Sequence, residues 1–174
     1  MRQNPETLVL GLAPVSRGLG FALLEGPHRL IDWGVKSARF NKDARCLAKT
    51  RELLQHYRPE VVVLEDCAGS RRAARVQRLI GRIVRSNKRK KVTTRCFPRT
   101  KVKEAFATAN GGTKHDIAFA IVERLPELAP HFPPRRRAWM SEDPRMSFFD
   151  AIALAMTFFH FKEKRRHSKV HNRS

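Results

Sequence analysis

The sequence predicts one α/β domain built on a mixed five-stranded sheet, and three observations carry that prediction. Five short apolar runs punctuate the chain, each too short to be a helix of its own. The first three follow one another with short links, as in an antiparallel meander, while the last two alternate with helical segments. The chain has 174 residues, 41% of them hydrophobic, which suits a single domain with a real core and argues against wholesale disorder.

"TLVLGLA" (7–13) reads as the first strand, broken by "PVSRG". "GLGFALLEG" (18–26) is the second, and "RLIDWGVKSA" (29–38) the third, after a turn at Gly26-Pro27. Leu47, Leu53, Leu54 and Tyr57 then recur near helical spacing in "NKDARCLAKTRELLQHY" (41–57), with Asn41 as its candidate cap. After Pro59, "EVVVLE" (60–65) is strand four. "SRRAARVQRLIGRIVRSNKRKK" (70–91) is helical, and "VTTRCF" (92–97) is strand five. Pro98 suits the first turn of a short helix, "RTKVKEAFATA". Beyond Gly111-Gly112, Thr113 caps "KHDIAFAIVERL", and "APHFPPRRR" (129–137) is a proline-rich connection. The last helix is expected from Pro144 to Lys162, capped by Asp143. Residues 1–161 then form the domain, and 162–174 a basic, flexible tail. No internal repeat is visible.

Charge is the strongest compositional signal. There are 36 basic and 16 acidic residues, a formal net charge of +20 and an isoelectric point near 11.3. Such a field opposes compactness unless something anionic shares the surface, and nucleic acid is the usual partner. An anionic membrane surface is the rival, but no apolar run approaches the roughly 20 residues that span a bilayer. The start, "MRQNPETLVLGL", lacks the apolar core of a signal peptide. Cys46, Cys67 and Cys96 are far apart and form no C-x-x-C pair, which argues against zinc and disulfide frameworks and fits a cytoplasmic location. No small-molecule cofactor is expected.

The basic charge has a pattern. Arg71, Arg75, Arg78, Arg82, Arg85 and Arg89 recur at alternating spacings of four and three. At about 100° per residue they fall within an arc of roughly 80°. Val76, Ile80 and Ile83 fall opposite, so one face packs while the other carries guanidiniums. A solvated helix face would mix signs to gain i,i+4 pairs. This one has no acid between Gly69 and Arg99, and the row reads as a phosphate-binding stripe. Lys88, Lys90 and Lys91 extend it, and the tail adds further Lys and Arg.

Two acids stand in apolar settings. Glu65 and Asp66 end strand four, and Asp150 is the one formal charge within "MSFFDAIALAMTFFHF". A carboxylate on such a helix must be paired, protonated or ligating. If Glu65 and Asp150 meet across a sheet–helix junction, a hard cation such as Mg²⁺ or Mn²⁺ would resolve their repulsion. Asp143 shares a helical face with Ser147 and Asp150 and is a third candidate ligand, although it is also the natural helix cap. Glu142 is a weaker candidate, and Asp32 could approach strand one laterally.

Four segments in order resemble the RuvC-like branch of the RNase H-like superfamily, the Holliday-junction resolvases. They are "VLGLAPVSRGLGFALLE", "PEVVVLED", "RTKVKEAFATANGGTKHDIAFAIVERL" and "FDAIALAMTFFH". The resemblance covers roughly residues 7–161. It implies an RNase H-like fold and a divalent-metal-dependent endonuclease acting on branched DNA, with a homodimer among its options. The metal anchors it implies are Glu65 and Asp150, assisted by Asp143 or Asp66, with Lys103 and Lys114 supporting the phosphate. It also exposes departures. The family's first acid falls on Ala13 and its third on Ser147, and the aromatic wedge expected after the second acid is replaced by Ala68. The alternative is a RuvC-like nucleic-acid-binding protein that has lost catalysis.

Overall fold

A computed structural model describes residues 6–68, 74–107 and 112–171, with the side chains through 168. The sheet is mixed and five-stranded, in the order β3-β2-β1-β4-β5. Strands β1 (Leu8–Val15), β2 (Gly18–Glu25) and β3 (Arg29–Ser37) form the expected antiparallel meander. Strands β4 (Val61–Asp66) and β5 (Thr93–Pro98) run parallel to β1, so the exits of β1, β4 and β5 lie along one edge. The helices are α1 (Lys42–Tyr57), α2 (Ala74–Arg89), α3 (Arg99–Phe106), α4 (Lys114–Arg124) and α5 (Met146–His171), with a 3₁₀ turn at Pro126–His131.

Alternation along the central strands divides the core into two layers. Val9 and Ala13 of β1, Ala22 and Leu24 of β2, and Val61 and Val63 of β4 pack with α3, α4 and α5. Leu10, Leu12, Leu19, Phe21, Leu23, Val62 and Leu64 pack instead with α1 and α2. Contact between α5 and the sheet depends on two glycines. A Cβ on Gly11 would stand 2.0 Å from the Ala151 carbonyl oxygen, and one on Gly20 would stand 2.2 Å from that of Ser147. Only glycine lets the helix backbone come this close.

The helix ends hold three results. Thr113 caps α4 as expected and forms a capping box with Asp116, with Asp116 N–H donating to Thr113 Oγ1 (3.2 Å) and Thr113 N–H donating to Asp116 Oδ2 (3.1 Å). Asn41 precedes α1 but adopts a left-handed backbone (φ 44°) and makes no side-chain cap, so it marks the boundary without capping it. The last helix does not stop near Lys162. It continues to His171, so the basic segment after residue 161 is helical where a flexible tail was expected. Lys and Arg are good helix formers, and contacts behind them favour continuation. Phe161 stacks on Phe97 with ring centroids 5.9 Å apart, and Lys164 reaches Glu104 at 3.4 Å.

Candidate functional site

The face of the sheet under α5 carries every position at which the family resemblance places an acid. Ala13 points to this layer with Val9, and Glu65 follows Val61 and Val63 by strand alternation. Ser147 lies over Gly20, which pairs with Ala13, and Asp150 follows one turn later on α5. Two of the four positions therefore hold no carboxylate. Ser147 is buried, and its hydroxyl donates to the Pro144 carbonyl at 2.7 Å.

Asp150 is 5% exposed and sits between two cations. Arg99, the first residue of α3, donates Nη1–H to Oδ1 at 3.2 Å. Lys114, the first residue of α4, brings its ammonium to 2.8 Å from Oδ2. The capping box fixes the start of α4 and so aims Lys114 at the carboxylate. Lys114 also reaches Glu142 at 2.7 Å. Burial pulls the Lys114 pKa down, but its contacts with Asp150 and Glu142 outweigh that, and the net shift is upward. Lys114 thus satisfies Oδ2 as a close ion pair, while the buried Nη2 of Arg99 has no hydrogen-bond partner among the described residues.

The remaining candidates go elsewhere. Asp143 accepts from the Arg145 backbone N–H at 2.9 Å and from that side chain at 3.0 and 2.7 Å. Its bond to the Arg145 N–H closes the turn that precedes α5, and the Arg145 hydrogen bonds hold its pKa below the usual carboxylate range against opposing burial. Asp66 ends β4 on the opposite face from Glu65, and its Oδ1 accepts from Ala68 N–H at 3.0 Å. No loop swings it toward Glu65. Lys103 is exposed on α3 and packs beneath Gly112. His115 turns away, its ring on Phe132 (4.6 Å) and its Nε2 against the Pro133 carbonyl (3.1 Å). Asp32 lies on β3, separated from β1 by β2, and accepts from the Tyr57 hydroxyl. That bond, with some burial, pushes the Tyr57 pKa up to about 12.

These residues do not fit a Mg²⁺ or Mn²⁺ pair. Such ions take oxygen ligands whose charge is free to balance theirs. Asp150 is already balanced twice, Asp143 is held by Arg145, and neither Ala13 nor Ser147 supplies a carboxylate. Among the described residues, no three His, Cys, Asp or Glu side chains converge as a metal cluster.

On the opposite layer, α2 buries Val76, Leu79, Ile80 and Ile83 and turns its arginines outward. Arg78, Arg82, Arg85 and Arg89 are exposed over roughly 16 Å of helix axis. Arg71 lies outside the described residues. Arg75 departs from the expected role. Its Nη1 meets Asp43 of α1 at 2.5 Å, and its Nη2 donates to the Val15 and Ser16 carbonyls at 3.2 and 2.9 Å. It ties α2 to α1 and to the exit of β1. Arg82 leans more weakly on Asp43, at 3.7 Å.

Arg99 was not singled out by the sequence. Its signal was indirect: a lone acid on an apolar helix needs a partner, and Arg99 opens a helix directly after a strand. No helix of the described residues is long and apolar enough to cross a membrane.

No protein-family model matches the chain, and no curated protein matches it in sequence. Solved structures do. Thermus thermophilus RuvC in complex with a Holliday junction substrate is similar with a TM-score of 0.67 and 20% identity, over 91% of this chain and 96% of that one. A second structure of Thermus thermophilus RuvC gives a TM-score of 0.66 and 21% identity over the same shares. The fold of this chain is thus the RuvC-like, RNase H-like fold, a mixed five-stranded sheet flanked by helices.

Proposed function

We propose that this chain is a RuvC-like nucleic-acid-binding protein that recognises branched DNA without cutting it. The observation that carries this reading is the pairing of Asp150 with Arg99 and Lys114. The position that resembles the family's fourth acid is held in an ion-pair network, beside two positions that have lost their acids. Meanwhile Arg78, Arg85 and Arg89 project from α2, suited to phosphates. The fold likeness to a RuvC bound to a Holliday junction supports a branched DNA partner.

A metal-dependent, structure-selective endonuclease is the second reading. Glu65 and Asp150 favour it, the first turned by strand alternation to the α5 side of β4 and the second buried on α5 itself. It would require the two ion pairs on Asp150 to open.

One experiment separates the two. A labelled four-way junction and a matched linear duplex are incubated with the protein in Mg²⁺, in Mn²⁺ and in EDTA, with Glu65→Gln alongside. Binding and cutting are read from the same samples. The expected result is salt-sensitive binding that prefers the junction, indifferent to EDTA and to Glu65→Gln, with no product. Metal-dependent cutting lost in Glu65→Gln would establish the nuclease instead.

A further inference from the structure

A second basic surface lies away from α2. A cleft of about 770 Å³ opens between the β1–β2 turn, the β3–α1 connection and the segment leading into α5. Its size is within the range of nucleotide-sized sites. Arg17, Arg39 and Lys42 line it on one side, Glu142 and Asp143 on the other. The two acids are neutralised from within, Glu142 by Lys114 at 2.7 Å and Asp143 by Arg145 at 2.7 Å. None of the three cations has an ion-pair partner among the described residues. The charge that the cleft presents outward is therefore positive.

Two exposed aromatic residues adjoin its lining along the chain. Phe40 directly follows Arg39 and is 75% exposed. Trp139, two residues before Ser141 of the cleft wall, is 78% exposed. The Arg137 guanidinium lies 5.5 Å over the Trp139 ring, which orients it without covering it. Neither ring contributes to the core. One exposed aromatic is ordinary, but two in the segments that supply a cleft's uncompensated cations and its opposite wall suit the way proteins hold unpaired strands. Cations follow the backbone, and bases stack on rings. Paired bases keep their faces stacked inside a duplex, so rings of this kind gain only from nucleotides already out of the stack.

We propose that this cleft binds an unpaired stretch of DNA, with phosphate against Arg17, Arg39 and Lys42 and bases stacked on Phe40 and Trp139. The proposal rests on the nucleic-acid reading above and deepens it. The arginine row of α2 takes duplex backbone, and the cleft takes the unpaired nucleotides of a branch point.

The test titrates short oligo-dT, blunt duplex, four-way junction and oligo-rU against wild type, Phe40→Ala, Trp139→Ala and Arg39→Ala. Trp139 fluorescence is followed in a Trp33→Phe background. Both aromatic side chains lie outside the core, so the substitutions leave it untouched. Oligo-dT is expected to quench Trp139. Each aromatic variant should lose roughly 5- to 150-fold in oligo-dT affinity, with blunt-duplex affinity unchanged. Arg39→Ala should reduce the salt slope for oligo-dT by about 0.7. Unchanged oligo-dT binding in the aromatic variants, or an equal loss on blunt duplex, overturns the proposal. Tighter oligo-rU binding with the same aromatic dependence assigns the cleft to RNA and overturns it as stated. Duplex and junction binding with no oligo-dT binding removes this inference alone. Oligo-dT binding with no preference for the junction removes the branched-DNA reading and leaves the cleft.

Discussion

The two layers of this protein treat charge in opposite ways. Beneath α5, acids and bases cancel: Asp150 lies between Arg99 and Lys114, and Lys114 is shared with Glu142. Across the sheet, α2 presents Arg78, Arg85 and Arg89 with no acid on the same helix. A cancelled cluster holds elements together and offers little to an incoming ion. An uncancelled row repels itself and is relieved by an anion. On the reading proposed above, the difference separates two jobs: the α5 layer fixes the fold at the exits of β1, β4 and β5, and the α2 layer is the one offered to an anionic partner.

The largest effect should come from breaking the cancelled side. Asp150→Asn leaves Arg99 without its counter-charge and Lys114 with Glu142 alone, in a mostly buried place. Removing one partner of a buried pair costs about 3–5 kcal/mol. Arg99 and Lys114 keep 25% and 32% side-chain exposure and regain some water. We expect about 2–3 kcal/mol of lost stability by urea unfolding, with blunt-duplex affinity intact. A stability gain in Asp150→Asn would mean that the carboxylate is held against its neighbours, and would favour an acid reserved for a metal.

The second contrast lies within the arginine row itself. Arg75 makes charged hydrogen bonds to Asp43 and to two carbonyls, whereas Arg85 is exposed with no acid on its helix. Arg75→Ala should therefore destabilise the fold by about 2 kcal/mol. Arg85→Ala should change stability by less than about 0.5 kcal/mol, but weaken DNA binding and lower its salt slope by about 1. Thermal unfolding and a salt titration of duplex binding on both variants check this. Equal behaviour of the pair would erase the distinction between the clamp and the contact.

The sequence made the strands legible because each buried run is short, apolar and bounded by Gly, Pro or charge. Thr113 was legible as a cap because it follows Gly111-Gly112 and opens a helical run. Partnerships across the fold were not. Spacing along the chain cannot link Arg99 to Asp150 or Arg75 to Asp43, so Asp150 looked equally like a ligand and a salt-bridge partner, and Arg75 looked like its five neighbours in the row. Strand alternation did limit Asp66, since adjacent residues on a strand face opposite ways. Charge density alone does not reveal that the basic segment after residue 161 continues α5, where Phe161 and Lys164 have partners on β5 and α3. Phe40 and Trp139 left a trace in their basic surroundings, "ARFNKD" and "RRRAWMSED", which set them apart from the Phe in apolar runs.

The smallest effect tests whether Asp143 belongs to the cancelled side. Its folded pKa is lowered by the Arg145 side chain, by the Arg145 backbone N–H and by charge attraction, with burial opposing. A lowered carboxylate contributes stability that is fully present above its unfolded value, about 3.9, and lost as pH falls through the folded value. In Asp143→Asn the amide oxygen can still accept from Arg145 N–H, so the turn into α5 survives while the ion pair goes. The stability difference between wild type and Asp143→Asn should be constant at neutral pH and close to zero once pH is below both values. Asp116 and Glu104 are also lowered, the first chiefly by its bond with Thr113 and the second chiefly by its bond with Lys101. Both titrate in either protein and cancel in the difference. A difference that instead grows toward low pH would mean that Asp143 is strained as an anion, as expected of a carboxylate kept for a cation rather than for Arg145.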